Sequence, residues 1–255
     1  MQAKTITSID NAKIKQLKKL QLKKYRRDMN CFVVENLAII QDAASDGYLY
    51  EDIFLTEKFV EDHLQILDNL SKKVGNKSYF EITDKINRTF TKLDSPAGIA
   101  AIYLMREREL KKGQSVVYLN GINDPGNLGT IFRSALAFGF KNIVVDANCV
   151  DIYNAKVINA AKDSFFKLNI IEDKEGNWIK TVDMPIYATS SHASMSVSKV
   201  DIVKPFCLIL GNETHGVDKN ILKLAKQNIK IDISKDIESL NVAAAASILF
   251  YELSK

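Results

Sequence analysis

Cysteine is scarce in this 255-residue chain. Cys31, Cys149 and Cys207 contain no CxxC spacing and cannot all pair, so neither a disulfide framework nor a structural zinc site is expected. Four Pro and eleven Gly are too few for collagen-like or linker-dominated architecture. The longest apolar stretch, around Val242–Tyr251, is about half of what a membrane span needs. The opening MQAKTITSID lacks the apolar core of a secretory leader. These absences predict a chain of a reducing, cytoplasmic compartment with neither membrane nor metal among its partners. GxGxxG and GK[ST] are missing too, which excludes the usual dinucleotide and P-loop cradles. RGG tracts, zinc-finger spacing and RRM aromatics are likewise absent.

What is present is ordinary globular composition, 46% hydrophobic and 26% charged, at a length that suits two domains better than one. The net charge of +4 is unevenly placed. Residues 1–27 hold nine cations, Lys4, Lys13, Lys15, Lys18, Lys19, Lys23, Lys24, Arg26 and Arg27, against Asp10 alone. That segment therefore carries +8 and the remainder −4. Such asymmetry favours a face for a polyanion such as a nucleic acid, with Lys18, Lys19, Lys23, Lys24, Arg26 and Arg27 as the candidate contacts. The alternative is a solvated helix face whose Ile14, Leu17 and Leu20 point to the core.

Two regimes meet near residues 105–115. The first combines the basic helix, a strand at Cys31–Glu35, a helix at Leu37–Asp46, a strand at Ile53–Leu55, a helical stretch over Glu57–Lys73 and a closing strand in SPAGIAAIYL. Arg106–Gln114, charged and nearly free of apolar residues, has the composition of a linker. It divides a domain at 1–105 from one at 115–255. Beyond it, β-type runs at Val116–Leu119, Asn142–Val145, Pro185–Thr189, Phe206–Leu210 and Ile229–Ile233 alternate with helical patterns at Leu128–Phe138, Ala155–Ala161, Lys219–Lys226 and Val242–Leu253. That rhythm predicts an α/β fold with a parallel sheet covered on both faces. Ligands in such sheets gather at the carboxyl ends of strands.

Three of the loops at those ends carry chemistry. In LNGINDPGNLGTIFRSALAFGF, Gly126 and Gly129 bracket Asn127 where strand turns to helix, and Arg133 lies off the apolar stripe. In LILGNETHGV a buried strand delivers Glu213 outside the sheet. Glu213 can equally be a helix-start acid favoured by the dipole; His215 reads as a solvent-facing loop residue. In IDISKDIESLNVAAAA, Ser239 or Asn241 can cap the terminal helix.

In this order and spacing, DPGNLGTIFRSALAFG, LGNETHG and ESLNVAAAA resemble the three motifs of the SpoU (TrmH-like) RNA ribose 2′-O-methyltransferases of the SPOUT class. The resemblance covers the whole second domain. SIDNAKIKQLKKL, KYRR, FVVEN and SPAGIAAI are similar to the family's substrate-binding domain. It implies a C-terminal parallel-sheet domain with a deep trefoil knot, a smaller α/β N-terminal RNA-binding domain and a homodimer. It implies S-adenosylmethionine as cofactor, contacted by Thr189, Gly211, Ile231, Leu240 and Asn241, and catalytic roles for Asn127, Arg133, Glu213, Ser239 and Asn241. Ribosomal RNA is the implied substrate; transfer RNA, or RNA binding without catalysis on the same fold, are the alternatives. The chain departs from the family pattern at Asn36-Leu37, Lys162-Asp163 and Asp232-Ile233.

Overall fold

The computed structural model describes residues 3–255 except 76, 77, 92 and 94. Its chain forms two compact units, one of residues 1–106 with 153–159, the other of 107–152 with 160–255.

The first unit runs β1 (Ala3–Ile6), α1 (Ala12–Leu20), α2 (Lys23–Met29), β2 (Cys31–Val34), α3 (Leu37–Ser45), β3 (Asp52–Thr56), α4 (Glu57–Asp62), α5 (Leu64–Lys73), β4 (Tyr79–Ile82), α6 (Asp84–Asn87) and β5 (Ile99–Leu104). Its sheet has the order β1-β4-β3-β5-β2. β1, β4 and β3 are parallel; β5 is antiparallel to β3 and β2. Ile14, Leu17 and Leu20 of α1 are fully or almost fully buried against a core with Val33, Phe54, Ala100 and Ile102. Helical spacing forces this outcome: residues three apart share one face. Asn36, where the family pattern is broken, caps α3 by accepting the Ile39 N–H at 3.2 Å. The predicted stretch over 57–73 is two helices, parted at His63.

The second unit runs β6 (Val116–Leu119), α7 (Pro125–Ala137), β7 (Asn142–Asp146), α8 (Ala155–Ala161), α9 (Ser164–Lys167), β8 (Asn169–Asp173), α10 (Trp178–Thr181), β9 (Ile186–Thr189), β10 (Met195–Ser196), β11 (Cys207–Leu210), α11 (Lys219–Leu222), β12 (Gln227–Lys230) and α12 (Val242–Ser254). The beginning of α8 falls in the segment grouped with the first unit. The sheet is parallel throughout, in the order β10-β12-β9-β11-β6-β7-β8. Val116, Tyr118, Cys207 and Ile209 join one apolar cluster, and their alternates Val117, Leu119, Leu208 and Leu210 are just as buried. Burial on both faces is why these strands read as unbroken apolar runs. Residues 107–114 already belong to this unit; Arg108 donates to the carbonyls of Phe165 and Leu168, and Asn142 exchanges hydrogen bonds with the Lys111 backbone.

Beyond β11, two boundaries differ from the sequence pattern by more than one residue. The strand expected at Ile229–Ile233 lies at Gln227–Lys230, because its partner β9 ends at Thr189, opposite Ile229. The helix expected over 219–226 is a single turn, Lys219–Leu222. Lys162 stands at φ 57, the left-handed conformation that glycine adopts without a Cβ penalty. All three cysteines are buried thiols; burial pushes Cys149 and Cys207 well above the usual thiol range.

Candidate active site

Asp124 accepts the Asn127 N–H at 2.7 Å and caps α7, with Pro125 at the first helical position. This pairing is favoured because proline gives up a donor that would have no helical partner. Asn127, which the sequence sets between Gly126 and Gly129 where strand turns to helix, therefore stands inside the first helical turn with its side chain available.

The second motif leaves β11 at Gly211. A Cβ there would lie 2.3 Å from both Gly216 C and Val217 N, so two backbone segments touch where only glycine fits. Asn212 and Gly216 then close a tight turn, exchanging backbone hydrogen bonds at 3.0 and 2.9 Å, with Gly216 at φ +68. Glu213 sits at its tip. It is an exposed turn residue and not a helix-start acid. His215 is also exposed.

Asn241, not Ser239, caps α12: its Oδ1 accepts the N–H groups of Ala243 and Ala244 at 2.9 and 3.2 Å. Helix N-termini present only donors, so the Asn241 oxygen faces the helix and its Nδ2 is left to donate. It does so to Asn127 Oδ1 at 3.0 Å. Asn127 Nδ2 in turn donates to Glu213 Oε1 at 2.6 Å. A chain of fixed polarity thus links the three motifs, from the α12 N-terminus to an exposed carboxylate. Glu213 takes no second hydrogen bond among the described residues.

Arg133 lies outside that chain. Six residues beyond Asn127 on a 3.6-residue turn, it projects from another side of α7 and is exposed. Its charge reaches Asp163: the Lys167 hydrogen bond first, and Arg133 to a lesser degree, hold that carboxyl below its usual range. Ser239 is exposed in the segment before α12, without a hydrogen bond among the described residues.

Thr189, Gly211 and Ile231 stand at or just beyond the carboxyl ends of β9, β11 and β12, three neighbours in the sheet. Leu240 and Asn241 lead into α12. Thr189, Ile231 and Leu240 are half-buried. A hydroxyl, a glycine and two partly covered aliphatic side chains suit a nucleoside taken up through backbone groups. No group of metal-ligating side chains occurs among the described residues.

On the first unit, Lys19, Lys23 and Lys24 are exposed and Lys18 is half-buried. Lys19 Nζ and Lys24 Nζ lie 5.6 and 6.0 Å from the Tyr25 ring centroid. Arg27 lies 5.2 Å over the Tyr153 ring. Arg26 corrects the sequence expectation: only 7% exposed, it donates to the Leu20 carbonyl at 2.9 Å. It satisfies the end of α1 instead of meeting a phosphate. Net charge cannot reveal this, because rotation about α2 decides which of two adjacent arginines turns inward.

Sequence reasoning misses Asp124, for which the Asp-Pro pair is the available signal; Asn212, in the Gly-Asn-Glu that ends β11, is legible as an amide just outside the sheet, but nothing local marks its partners.

Residues 114–251 match the family model described as the SpoU rRNA Methylase family, and residues 11–101 that of the MRM3-like substrate binding domain. The chain is 30% identical over 253 residues to the 23S rRNA (guanosine(2553)-2′-O)-methyltransferase of Bacillus subtilis, covering 98% of this chain and 99% of the relative. Among solved structures it is similar to an AdoMet-bound rRNA methyltransferase from Sinorhizobium meliloti, with TM-score 0.85 and 26% identity over 99% of this chain and 97% of the other. An RNA 2′-O ribose methyltransferase superposes with TM-score 0.80 at 28% identity, covering 98% and 97%.

Proposed function

The chain belongs to the SpoU rRNA methylase family, and we propose that it transfers the methyl group of S-adenosylmethionine to a ribose 2′-hydroxyl of ribosomal RNA. The observation that carries this reading is the Asn241–Asn127–Glu213 chain, which joins all three motifs at the carboxyl end of a parallel sheet.

Bound S-adenosylmethionine supplies an electrophilic methyl on a sulfonium. The strand ends at Thr189, Gly211 and Ile231, with Leu240 and Asn241, are the residues that hold it. The difficulty lies with the alcohol, a weak acid that must lose its proton as the new C–O bond forms and the C–S bond breaks. Glu213 receives that proton, directly or through water. Asn127 fixes one of its oxygens, leaving the other for the hydroxyl. Arg133 keeps its own proton, since guanidinium pKa exceeds about 12, and as a cation stabilises the developing alkoxide or the neighbouring phosphate. Ser239 orients the hydroxyl from the segment before α12.

The first unit carries the RNA, with Lys18, Lys19, Lys23, Lys24 and Arg27 meeting phosphates. The second unit is knotted: β9 lies between β11 and β12, both later in sequence, an order compatible with a chain threaded around it. Two copies pair through α12, where Ile248 and Tyr251 are 39% and 52% exposed. The enzyme works in the cytoplasm, a compartment that suits three buried free thiols. A methyl-transfer assay on ribosomal and transfer RNA, followed by mapping of 2′-O-methyl positions, tests the reading. Donor-dependent label at one ribosomal ribose is expected. Label only in transfer RNA would overturn the substrate, and no label on either would overturn the activity.

A further inference from the structure

Asp146 ends β7 and is 9% exposed. A carboxylate so far from water must be met by donors. Its Oδ2 accepts from Asn120 Nδ2 at 2.7 Å, and its Oδ1 accepts the N–H groups of Gly121 and Asn148 at 3.0 and 3.1 Å. Because a carboxylate only accepts, Asn120 must turn its NH2 inward. Its Oδ1 is then left to accept the N–H of Asp218 at 2.7 Å. Gly121 sends its carbonyl to Asn212 Nδ2 at 2.8 Å. The Asn212 oxygen consequently takes the N–H groups of Thr214 and His215, at 2.8 and 3.2 Å. Both arms end on the loop that carries Glu213, one on either side of it.

We infer that Asp146 is a positioning residue of the methyl-transfer reaction, its buried charge setting the polarity of Asn120 and the path of Gly121 so that Glu213 is held against Asn127. This rests on the reading of Glu213 as proton acceptor. Asp146 itself touches no reacting atom. Exchange for asparagine preserves volume but leaves no good orientation. An NH2 at the Oδ1 place faces two backbone N–H groups. At the Oδ2 place it faces the Asn120 NH2, and flipping Asn120 then sets its NH2 against the N–H of Asp218.

A double-mutant cycle tests the inference. Asp146→Asn is expected to lower kcat by about tenfold to a hundredfold, the scale of a misplaced reacting group, with KM for RNA nearly unchanged. In a Glu213→Gln background the same substitution is expected to change kcat by less than about twofold, because the residue it positions is already disabled. Amide exchange gives a readout independent of turnover: the Asp218 and Thr214 amides exchange faster in Asp146→Asn, while Val117 and Leu208 keep their protection. Should that variant not fold, Asn120→Ala cuts one arm and leaves Asp146 its backbone donors, with the same expectations for kcat and for Asp218. Equal losses in both backgrounds, or unchanged exchange at Asp218, would overturn the positioning role alone. Full activity in Glu213→Gln would overturn the proton-acceptor reading, and this inference with it.

Discussion

Asn127 donates its side-chain amide to Glu213 at 2.6 Å across 86 residues of chain. Neither residue holds a buried position that packing alone would enforce. The bond exists because Asn241, turned by the donors at the α12 N-terminus, has already taken the Asn127 oxygen.

Glu213→Gln keeps an acceptor for Asn127 but removes the base. Single-turnover methyl transfer should fall by roughly 10²-fold or more, the contribution of a positioned general base. Glu213 is exposed, so its melting temperature should hardly move. A variant as fast as the parent would remove Glu213 from the chemistry.

Arg133 separates charge from structure. Its exposure predicts that Arg133→Ala costs under about 0.5 kcal/mol of stability. As an alkoxide-stabilising cation it should nonetheless be worth roughly 10²–10³-fold in rate. Arg133→Lys, lacking the planar fork, should recover only part of that. Calorimetric binding of S-adenosylmethionine should be unaltered in both.

Gly211 has no room for a side chain. Gly211→Ala drives a methyl into the Gly216–Val217 backbone and should cost about 1–3 kcal/mol or more, the range of overpacking. Donor binding should be lost as the turn is displaced. Thermal melts and titration calorimetry read the two effects separately, and a neutral alanine would contradict the close approach.

Among the basic residues, two outcomes should divide cleanly. Replacing Lys18, Lys19, Lys23 and Lys24 by Gln should weaken RNA binding and flatten its salt dependence. Arg26→Gln should leave the salt slope alone and instead lower stability by about 1–3 kcal/mol, because it opens the bond to the Leu20 carbonyl. Filter binding across salt concentrations and chemical denaturation distinguish them.

Glu35 is 7% exposed, and burial raises its carboxyl above the ordinary range despite bonds from Thr91 and Gln21. The folded state therefore holds this proton more tightly than the unfolded chain. Its stabilising share is complete below the unfolded pKa and is lost as pH rises through the folded one. Glu35→Gln should accordingly gain stability relative to the parent as pH rises above the ordinary carboxylate range. Melting curves that stay parallel over that rise would refute it.

Amino-acid order alone specifies the elements whose periodicity reports burial directly. The Ile14–Leu17–Leu20 stripe makes α1 one-sided, and the apolar runs of β6 and β11 permit only a sheet covered on both faces. It also placed Asn127, Glu213 and Asn241 at strand and helix ends. Less patterned segments were not legible: β1 and β4 have mostly polar or half-exposed side chains, and β8 mixes Asn, Glu and Asp with isoleucine. Which polar groups meet follows from the folded arrangement of the strands and helices. Arg26 and Arg27 are identical in type and adjacent, yet one is turned inward by the pitch of α2. Asn120 and Asp146 stand 26 residues apart and give no local sign of their partnership. Hydrogen-bond polarity between distant residues depends on which strand ends adjoin, and that is a property of the parallel sheet's order rather than of any stretch of chain.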